Sequence, residues 1–345
     1  MAVTQQQIAD LAGVSRGTVH RALNKSGPVK QEVAERILAI AEELGYQPNR
    51  AGSMLVRTHR PLKLGVIIQS TETPFIQKIL SEIEAAREEI KNNGAELILY
   101  TNEQLDLKKQ LQALDELYKE GVDGISLAPI QDHRVVQKIN KLKEENIPVV
   151  TFNTDLPDSM RLCYVGQNNY QSGRACASLM NGLLCGKGKV LIVTGYHNSI
   201  SHQRRVEGFR HEIKNVFKDI ELLPVVACQD KRDIARELVK KAFQEQPDLQ
   251  GIYNTANGQL GTCDAVKELG IGDQVHMICH DLVPENIVNL KNGLIDFIVD
   301  QGAKTQAVKP VNILIDYIIS GIKPEQENHF THIDIYNSYN LRESI

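Results

Sequence analysis

The sequence predicts an all-helical segment of about sixty residues, followed by an α/β body built from two doubly wound parallel sheets. Two observations support this prediction. The first sixty residues place apolar side chains at helical spacing between turn-forming stretches, whereas from Leu62 onward apolar runs rich in Val and Ile alternate with helical patterns. The length of 345 residues agrees, because it exceeds one ordinary domain and allows each part its own core.

The first two helices are predicted from their caps. Thr4 is placed to cap the first helix, and a glutamine three residues later completes a capping box, so this helix should run over about residues 5–12. Gly13 then ends it. Ser15 offers a second N-cap, and the helix that it begins should reach about Leu23.

A third helix, ending near Gly45, completes three short helices in about forty residues. The stretch ADLAGVS has the spacing of a helix-turn-helix, in which small Ala9 lets the helices approach and Gly13 permits the turn. Taken alone, the spacing also suits any pair of antiparallel helices. However, the stretches VTQQQIADLAGVSRGTVHRALN and ERILAIAEELGYQPNRAGSML together resemble the headpiece and hinge of the LacI/GalR family of repressors.

The resemblance implies a partner, double-stranded DNA, whose major groove the second helix would enter. Arg16, Gly17 and Arg21 match the positions that read base edges, and an arginine fork suits guanine. Other matching positions would contact phosphates or support the headpiece, although Thr4 and Ser15 would also serve as caps and His20 stands where the family often has serine. These are Thr4, Ser15, Thr18, His20, Asn24 and Tyr46.

The stretch QPNRAGSML resembles the family's hinge, which includes Asn49 and Arg50 and becomes a helix on DNA. Leu55 matches the leucine that wedges between base steps in the minor groove. Gly52 departs from the more usual alanine and has lower helix propensity by roughly 1 kcal/mol. The domain prediction is therefore a headpiece at 1–47, a hinge helix at 48–61 and an effector-binding domain at 62–345.

The charge of the chain is divided unevenly. Residues 1–60 carry eight Lys or Arg against five Asp or Glu, a net charge of +3, whereas the whole chain has a net charge of −4, which leaves −7 for residues 61–345. A basic head on an acidic body indicates that only the head faces phosphates. A solvated helix face that is basic by chance is the alternative.

The body contains about nine β-rich runs, more than one mononucleotide-binding type of sheet usually holds, so two lobes are expected with ligand contacts at the carboxyl ends of the strands. It resembles the ribose-binding-protein type of sugar-binding domain, a periplasmic-binding-protein-like fold. In that family the chain crosses between lobes three times. The resemblance implies an N-lobe at 62–167 and 302–328, and a C-lobe at 168–301 and 329–345.

The same resemblance implies a cleft for a small polar effector, most simply a sugar or a sugar derivative. Phe75 would offer a flat face to a pyranose, with core packing as its alternative role, and Arg205 would donate to the ligand unless it is a surface charge. This chain reads Asn153-Thr154-Asp155 where the family often has an Asp-Arg pair, so one arginine clamp is lost. The full set of matching positions is Thr73, Phe75, Asn153, Asp155, Arg205, Asn257, Asp281 and Gln301.

Other classes of protein are less well supported. The first strand lacks GxGxxG, and no P-loop, GxSxG or HExxH motif occurs, so neither an enzyme nor a cofactor is expected. The six cysteines lack CxxC spacing, and His276 and His280 lie four apart in a probable strand, so no metal site is expected. Neither a signal peptide nor a long apolar segment is apparent, which favours a cytoplasmic protein with no membrane partner over an exported transport receptor.

The sequence thus predicts a DNA-binding transcriptional regulator, most simply a repressor, that senses a carbohydrate. A purine or a sugar phosphate is the alternative effector. Because one headpiece reads only a half-site, a homodimer on a palindromic operator is expected. No leucine heptad follows the body, which favours a dimer over a tetramer.

Overall fold

The computed structural model of the protein describes residues 3–24, 28–44, 61–197 and 199–341. The N-terminal segment forms the three predicted helices, α1 (Gln5–Ala12), α2 (Arg16–Asn24) and α3 (Gln31–Glu43). Helix α1 ends at Gly13, whose φ of 64° lies in the left-handed region that glycine enters without strain. A shared apolar core holds the helices together: Ile8, Ala9, Ala12, Val19, Ala22, Ile37 and Ala41.

The first lobe is a parallel sheet with strand order β12-β5-β4-β3-β1-β2. Its strands are β1 (Leu62–Ile68), β2 (Ala95–Thr101), β3 (Gly124–Leu127), β4 (Val149–Phe152), β5 (Cys163–Gln167) and β12 (Asn328–Thr331). Its helices are α4 (Pro74–Asn92), α5 (Leu107–Lys119), α6 (His133–Glu144) and α12 (Ala303–Ser320). Helices α4 and α12 cover one face of the sheet and α5 and α6 the other, so the central strands are buried on both faces.

The second lobe repeats this architecture with strand order β13-β11-β10-β9-β6-β7, and β8 also pairs with β6. Its strands are β6 (Gly188–Thr194), β7 (Ile220–Leu222), β8 (Val226–Ala227), β9 (Leu249–Asn254), β10 (His276–His280), β11 (Phe297–Asp300) and β13 (Asp334–Tyr336). Its helices are α7 (Asn169–Leu183), α8 (Ile200–Asn215), α9 (Arg232–Glu245), α10 (Gln259–Leu269) and α11 (Pro284–Lys291). Strand β13 is antiparallel to β11, whereas the other pairings of this sheet are parallel.

Two details differ from the sequence prediction. The run LLPVVAC, which is one of the nine predicted strands, forms two short strands, β7 and β8, because Pro224 lies between them and cannot donate to a ladder. The third crossing between lobes follows Thr331 rather than residue 328, since β12 still pairs with β5 in the first lobe. The first lobe therefore extends to 331. Within the described ranges, no helix is both long and apolar enough to cross a membrane.

Asp155 forms a structural ion pair within the first lobe. The Arg161 side chain is only 2% exposed, and its Nε and Nη2 donate to the two carboxylate oxygens of Asp155 at 2.5 and 2.7 Å. Its Nη1 donates to Glu327 at 3.0 Å. Asp155 also accepts a hydrogen bond from the Thr151 hydroxyl at 2.8 Å. All of these bonds to the Asp155 carboxylate come from residues of the first lobe. They correct the prediction that Asp155 binds an effector.

We predict that Asp155→Ala destabilises the first lobe by about 3 kcal/mol, because it removes the main partner of a buried guanidinium. Asp158→Ala, which removes an exposed carboxylate nearby, should change the free energy of unfolding by less than about 0.5 kcal/mol. Urea unfolding followed by circular dichroism measures both values. Equal stabilities for the two variants would contradict a structural role for Asp155.

Candidate functional site

One face of helix α2 is exposed and carries the predicted base-reading residues. Arg16, Gly17 and Arg21 are exposed together with His20, whereas Val19 on the opposite face is buried in the headpiece core. Residues separated by one, four and five positions lie on one side of a helix. The packing of α2 therefore leaves its two arginines directed away from the headpiece.

The predicted caps hold this helix and the one before it. The Ser15 hydroxyl accepts from the Thr18 backbone N–H at 3.1 Å, and Arg21 Nη2 donates to the Thr18 hydroxyl at 3.3 Å. At α1, Thr4 forms a complete capping box with Gln7. These bonds confirm the capping roles of Thr4 and Ser15, and contacts of the headpiece with phosphates stay a prediction.

Some predicted DNA contacts cannot be placed. The backbone of Asn24 ends α2, but its side chain lies outside the described part of the structure. The hinge prediction also falls there. Outside the described residues lie Tyr46, Asn49, Arg50 and Leu55.

A cleft between the two lobes encloses about 150 Å³. It lies where the carboxyl ends of β1, β3 and β4 in the first lobe meet those of β6, β8, β9 and β10 in the second, the position expected for ligands of parallel sheets. The structure brings seven of the eight predicted effector residues to its lining, all except Asp155. They are Thr73, Phe75, Asn153, Arg205, Asn257, Asp281 and Gln301.

Phe75 has both roles that the sequence allows. Its side chain is 6% exposed, packs in the first-lobe core and also lines the cleft. Pro74 begins α4 immediately before it, and the Thr73 hydroxyl donates to the backbone oxygen of Ser70 at 2.9 Å. The cleft therefore has a fixed aromatic wall on the first lobe.

Arg205 on α8 is the centre of a hydrogen-bond network in the second lobe. It is 3% exposed, so it is not a surface charge. Its Nε donates to Asn169 at 2.9 Å, its Nη1 to the Thr255 backbone oxygen at 2.7 Å, and its Nη2 to the Gln301 side chain. The Gln301 amide in turn donates to Asp281. One chain of bonds thus fixes three of the predicted effector residues.

Burial changes the ionisation of the cleft. Burial raises the pKa of Asp281 to about 6, although Arg205 and the Gln301 hydrogen bond both oppose this shift. Burial also raises the pKa of Asp230 to about 7. His202 accepts from the Tyr196 backbone N–H at 3.2 Å, and burial lowers the pKa of His202 to about 3, so this ring is neutral at physiological pH.

Several lining residues were missed by the sequence analysis, among them Gln69, Asp230, His202 and Tyr196. A usable signal existed for the first two: Gln69 ends the run LGVIIQ, and Asp230 follows the run LLPVVAC. The rule that parallel strands direct their carboxyl ends toward ligands selects both.

The backbone is unusual at the same strand ends. Ser70, Asn153, Asp230 and Asp281 have φ values of 59°, 62°, 57° and 78°, and all four line the cleft. Non-glycine residues seldom adopt this conformation, and it clusters at binding sites. The strand ends therefore turn sharply at the cleft, which supports its assignment as the functional site.

The lobes also contact each other directly. Lys78 on α4 donates to the Leu282 backbone oxygen at 2.8 Å, and its Nζ lies 4.0 Å from Asp300 Oδ1. The backbone N–H of Ile200 donates to the Gln131 side chain at 2.8 Å. Both bonds join the first lobe to the second, so the structure has the two lobes in contact around the cleft.

Comparison with protein families gives two matches that together span most of the chain. Residues 4–49 match the family described as bacterial regulatory proteins, lacI family. Residues 64–322 match the periplasmic binding protein domain. The first match contains the three headpiece helices, and the second contains the residues that line the cleft.

Known proteins similar to this chain include the HTH-type transcriptional regulator IdnR of Escherichia coli, 26% identical over 284 residues, which are 79% of this chain and 80% of that protein. A ribose operon repressor of Halalkalibacterium halodurans is 25% identical over 81% of each chain. Among solved structures, GanP, a glucose-galactose binding protein from Geobacillus stearothermophilus, aligns with a TM-score of 0.74 and 25% identity over 82% of this chain and 99% of its own. The chain therefore belongs to the lacI family of bacterial regulatory proteins and carries a periplasmic binding protein domain as its body.

Proposed function

We propose that the protein is a homodimeric regulator that binds a palindromic operator and changes its operator affinity when a small polyhydroxylated ligand occupies the cleft. The strongest support is that one chain combines a headpiece of the DNA-binding type with a body that contains a cleft. The headpiece has an exposed arginine face on α2, and the body has a polar interlobe cleft. Because its target is DNA, we place its action in the cytoplasm.

The DNA-binding role rests on α2. Arg16 and Arg21 extend from the face opposite the headpiece core, and a guanidinium can bind guanine O6 and N7 through two parallel hydrogen bonds. One such helix reads only a few base pairs. A symmetric pair of headpieces on a palindromic site supplies enough contacts for specificity, which is why we propose a dimer.

The ligand class follows from the polar groups of the cleft. Among the described residues that line it, the charged groups are the carboxylates Asp230 and Asp281 and the guanidinium of Arg205, whose three nitrogens already donate within the protein. His202 is neutral. The pKa values of about 7 and about 6 leave Asp230 partly and Asp281 mostly ionised at neutral pH, so a sugar phosphate would place its negative charge beside them, and the cleft favours an uncharged sugar over this alternative. The names of similar proteins, a ribose operon repressor and a glucose-galactose binding protein, agree with a sugar.

The response requires a ligand that prefers one arrangement of the lobes, because a ligand with equal affinity for two states shifts neither. Phe75 and Thr73 line the cleft from the first lobe, whereas Arg205 and Asp281 line it from the second. A sugar that contacts both sets stabilises the closed arrangement. In a dimer, closure moves the first lobes relative to each other and thereby changes the spacing of the headpieces.

We predict that Arg21→Ala costs about 1–3 kcal/mol at the operator and leaves weak binding to random DNA largely intact, because a base contact is lost and the phosphate contacts stay. Arg36→Ala removes the same charge from an exposed position on α3 and serves as the control. The ratio of operator affinity to random-DNA affinity in Arg36→Ala should equal that of the wild type. Fluorescence anisotropy at several salt concentrations measures both ratios. A loss in Arg21→Ala that is equal for operator and random DNA would refute base readout.

We predict that Asp281→Asn moves the ligand titration of operator binding to about tenfold higher ligand concentration, since charge-assisted hydrogen bonds become neutral ones. Asparagine is chosen because it tolerates the positive φ of this position. The exposed Asp273→Asn on the same lobe is the control. Basal operator affinity should be unchanged in both variants. If operator binding in Asp281→Asn responds at the same ligand concentration as in the wild type, Asp281 does not belong to the ligand site.

A further inference from the structure

Two buried polar atoms on opposite walls of the cleft lack a hydrogen-bond partner among the described residues. They are Gln69 Nε2 in the first lobe and Asp230 Oδ1 in the second. One is a donor and the other an acceptor. Buried groups of this kind cost free energy unless something supplies the missing bond.

The Gln69 amide is bonded through its oxygen, and its nitrogen has no partner among the described residues. Gln69 is 4% exposed at the end of β1, and its Oε1 accepts from Asn102 Nδ2 at 3.1 Å. This bond fixes which end of the amide is occupied. The Nε2 end therefore keeps its donors without a partner among the described residues.

Asp230 is held in place by its surroundings. The Asn257 side chain donates to its backbone oxygen at 3.0 Å, and its φ of 57° is a conformation that Asp tolerates better than most residues. The carboxylate lies directly against Gly195, where an added Cβ would fall 2.2 Å from Oδ1. Only glycine at that position permits this approach, so the residue that follows β6 helps to determine where the carboxylate lies.

The pair of free groups selects the chemistry of the ligand. A hydroxyl both donates and accepts, so hydroxyls satisfy Asp230 and Gln69 together. A phosphate or carboxylate group placed between the two residues accepts from Gln69 but gives ionised Asp230 no donor, whereas an ammonium group in the same place donates to Asp230 but gives Gln69 no acceptor. We propose that Gln69 and Asp230 are specificity-determining residues that bind hydroxyls of one uncharged polyol from opposite lobes. This inference rests on the proposed sensing function and deepens it.

The proposal has a consequence for pH. Burial raises the pKa of Asp230 to about 7, and a hydroxyl that donates to the carboxylate stabilises its charged form, so ligand binding lowers this pKa and releases a proton. Affinity should therefore increase as the pH rises through 7 and level off above it.

Other groups near Asp230 behave differently in that window. Arg205 and Asp281 act on it electrostatically, and Asp281 titrates lower, at a pKa of about 6. Burial keeps His202 neutral by lowering its pKa, and raises the pKa values of Tyr196 and Cys228, so that these two also stay neutral. Asp281 and Asp230 both titrate near neutral pH, so the part of the pH dependence that is lost on substituting Asp230 reports on Asp230.

The first test is isothermal titration of the full-length wild-type chain with a panel of probes. Uncharged probes are D-ribose, D-glucose, D-galactose and myo-inositol; charged probes are D-gluconate, D-glucose 6-phosphate and D-glucosamine; hypoxanthine represents purines. We expect an uncharged probe to bind at least about tenfold more tightly than any charged probe or hypoxanthine. Tighter binding of a charged probe or of hypoxanthine overturns the assignment.

The second test uses variants with the tightest uncharged probe. Gln69→Glu keeps the acceptor for Asn102 but removes the free donor, and Asp230→Asn removes the charge; each should weaken binding about tenfold. Asp230→Asn should also reduce the rise in affinity between pH 6.5 and 8. Controls are the exposed positions Gln137→Glu and Asp233→Asn, which should bind as the wild type does.

The outcomes separate this inference from the proposed function. Wild-type binding that persists unchanged, with its pH dependence, in Asp230→Asn overturns the inference and leaves the sensing function intact. If no probe binds the wild type, both fail. If Gln69→Glu does not fold, deoxy derivatives of the bound sugar are titrated against the wild type and Asp230→Asn instead. At least one deoxy sugar should bind the wild type more weakly than the parent sugar does, and this loss should be much smaller in Asp230→Asn. Equal losses in the two proteins overturn the role of Asp230.

Discussion

The buried guanidinium of Arg205 is the constraint on which the cleft depends. A cation that is 3% exposed is costly unless its donors are satisfied, and here Asn169, Thr255 and Gln301 satisfy them. Gln301 then fixes Asp281. Because Gln301 lies where the chain crosses from β11 to α12, the same network positions one wall of the cleft and the start of a segment that returns to the first lobe. A ligand that binds Arg205 or Asp281 thus acts directly on a crossing segment.

The distribution of charge separates the two tasks of the chain. The net charge of +3 lies in the first sixty residues, and the remainder carries −7, so the field of the body repels phosphate while the headpiece attracts it. The cleft continues this trend with two carboxylates that are costly to bury without donors. Sensing and DNA binding therefore use opposite electrostatics, and a neutral ligand can bind the body without competing with DNA for basic side chains.

Local signals made much of this fold predictable. The caps of α1 and α2 and the long apolar strands depend on neighbouring residues, and the structure has them where the sequence predicts them. Strands β5, β12 and β13 were missed because none contains a long run of apolar residues: β5 reads CYVGQ, and β12 and β13 are only partly buried at sheet edges. Asp155 was misassigned because its partner Arg161 depends on the path of a loop. The free ends of Gln69 and Asp230 depend on neighbours distant in sequence, Asn102 and Gly195, which no pattern in one chain shows.

The central claim is that one ligand couples the cleft to the operator, and a linkage measurement tests it most directly. The affinity of the protein for operator DNA is measured with and without saturating amounts of the tightest-binding sugar, and its affinity for that sugar is measured with and without operator. The account predicts that both ratios equal the same factor, corresponding to a coupling free energy of about 1–3 kcal/mol. A sugar that binds tightly and leaves operator affinity unchanged would contradict it.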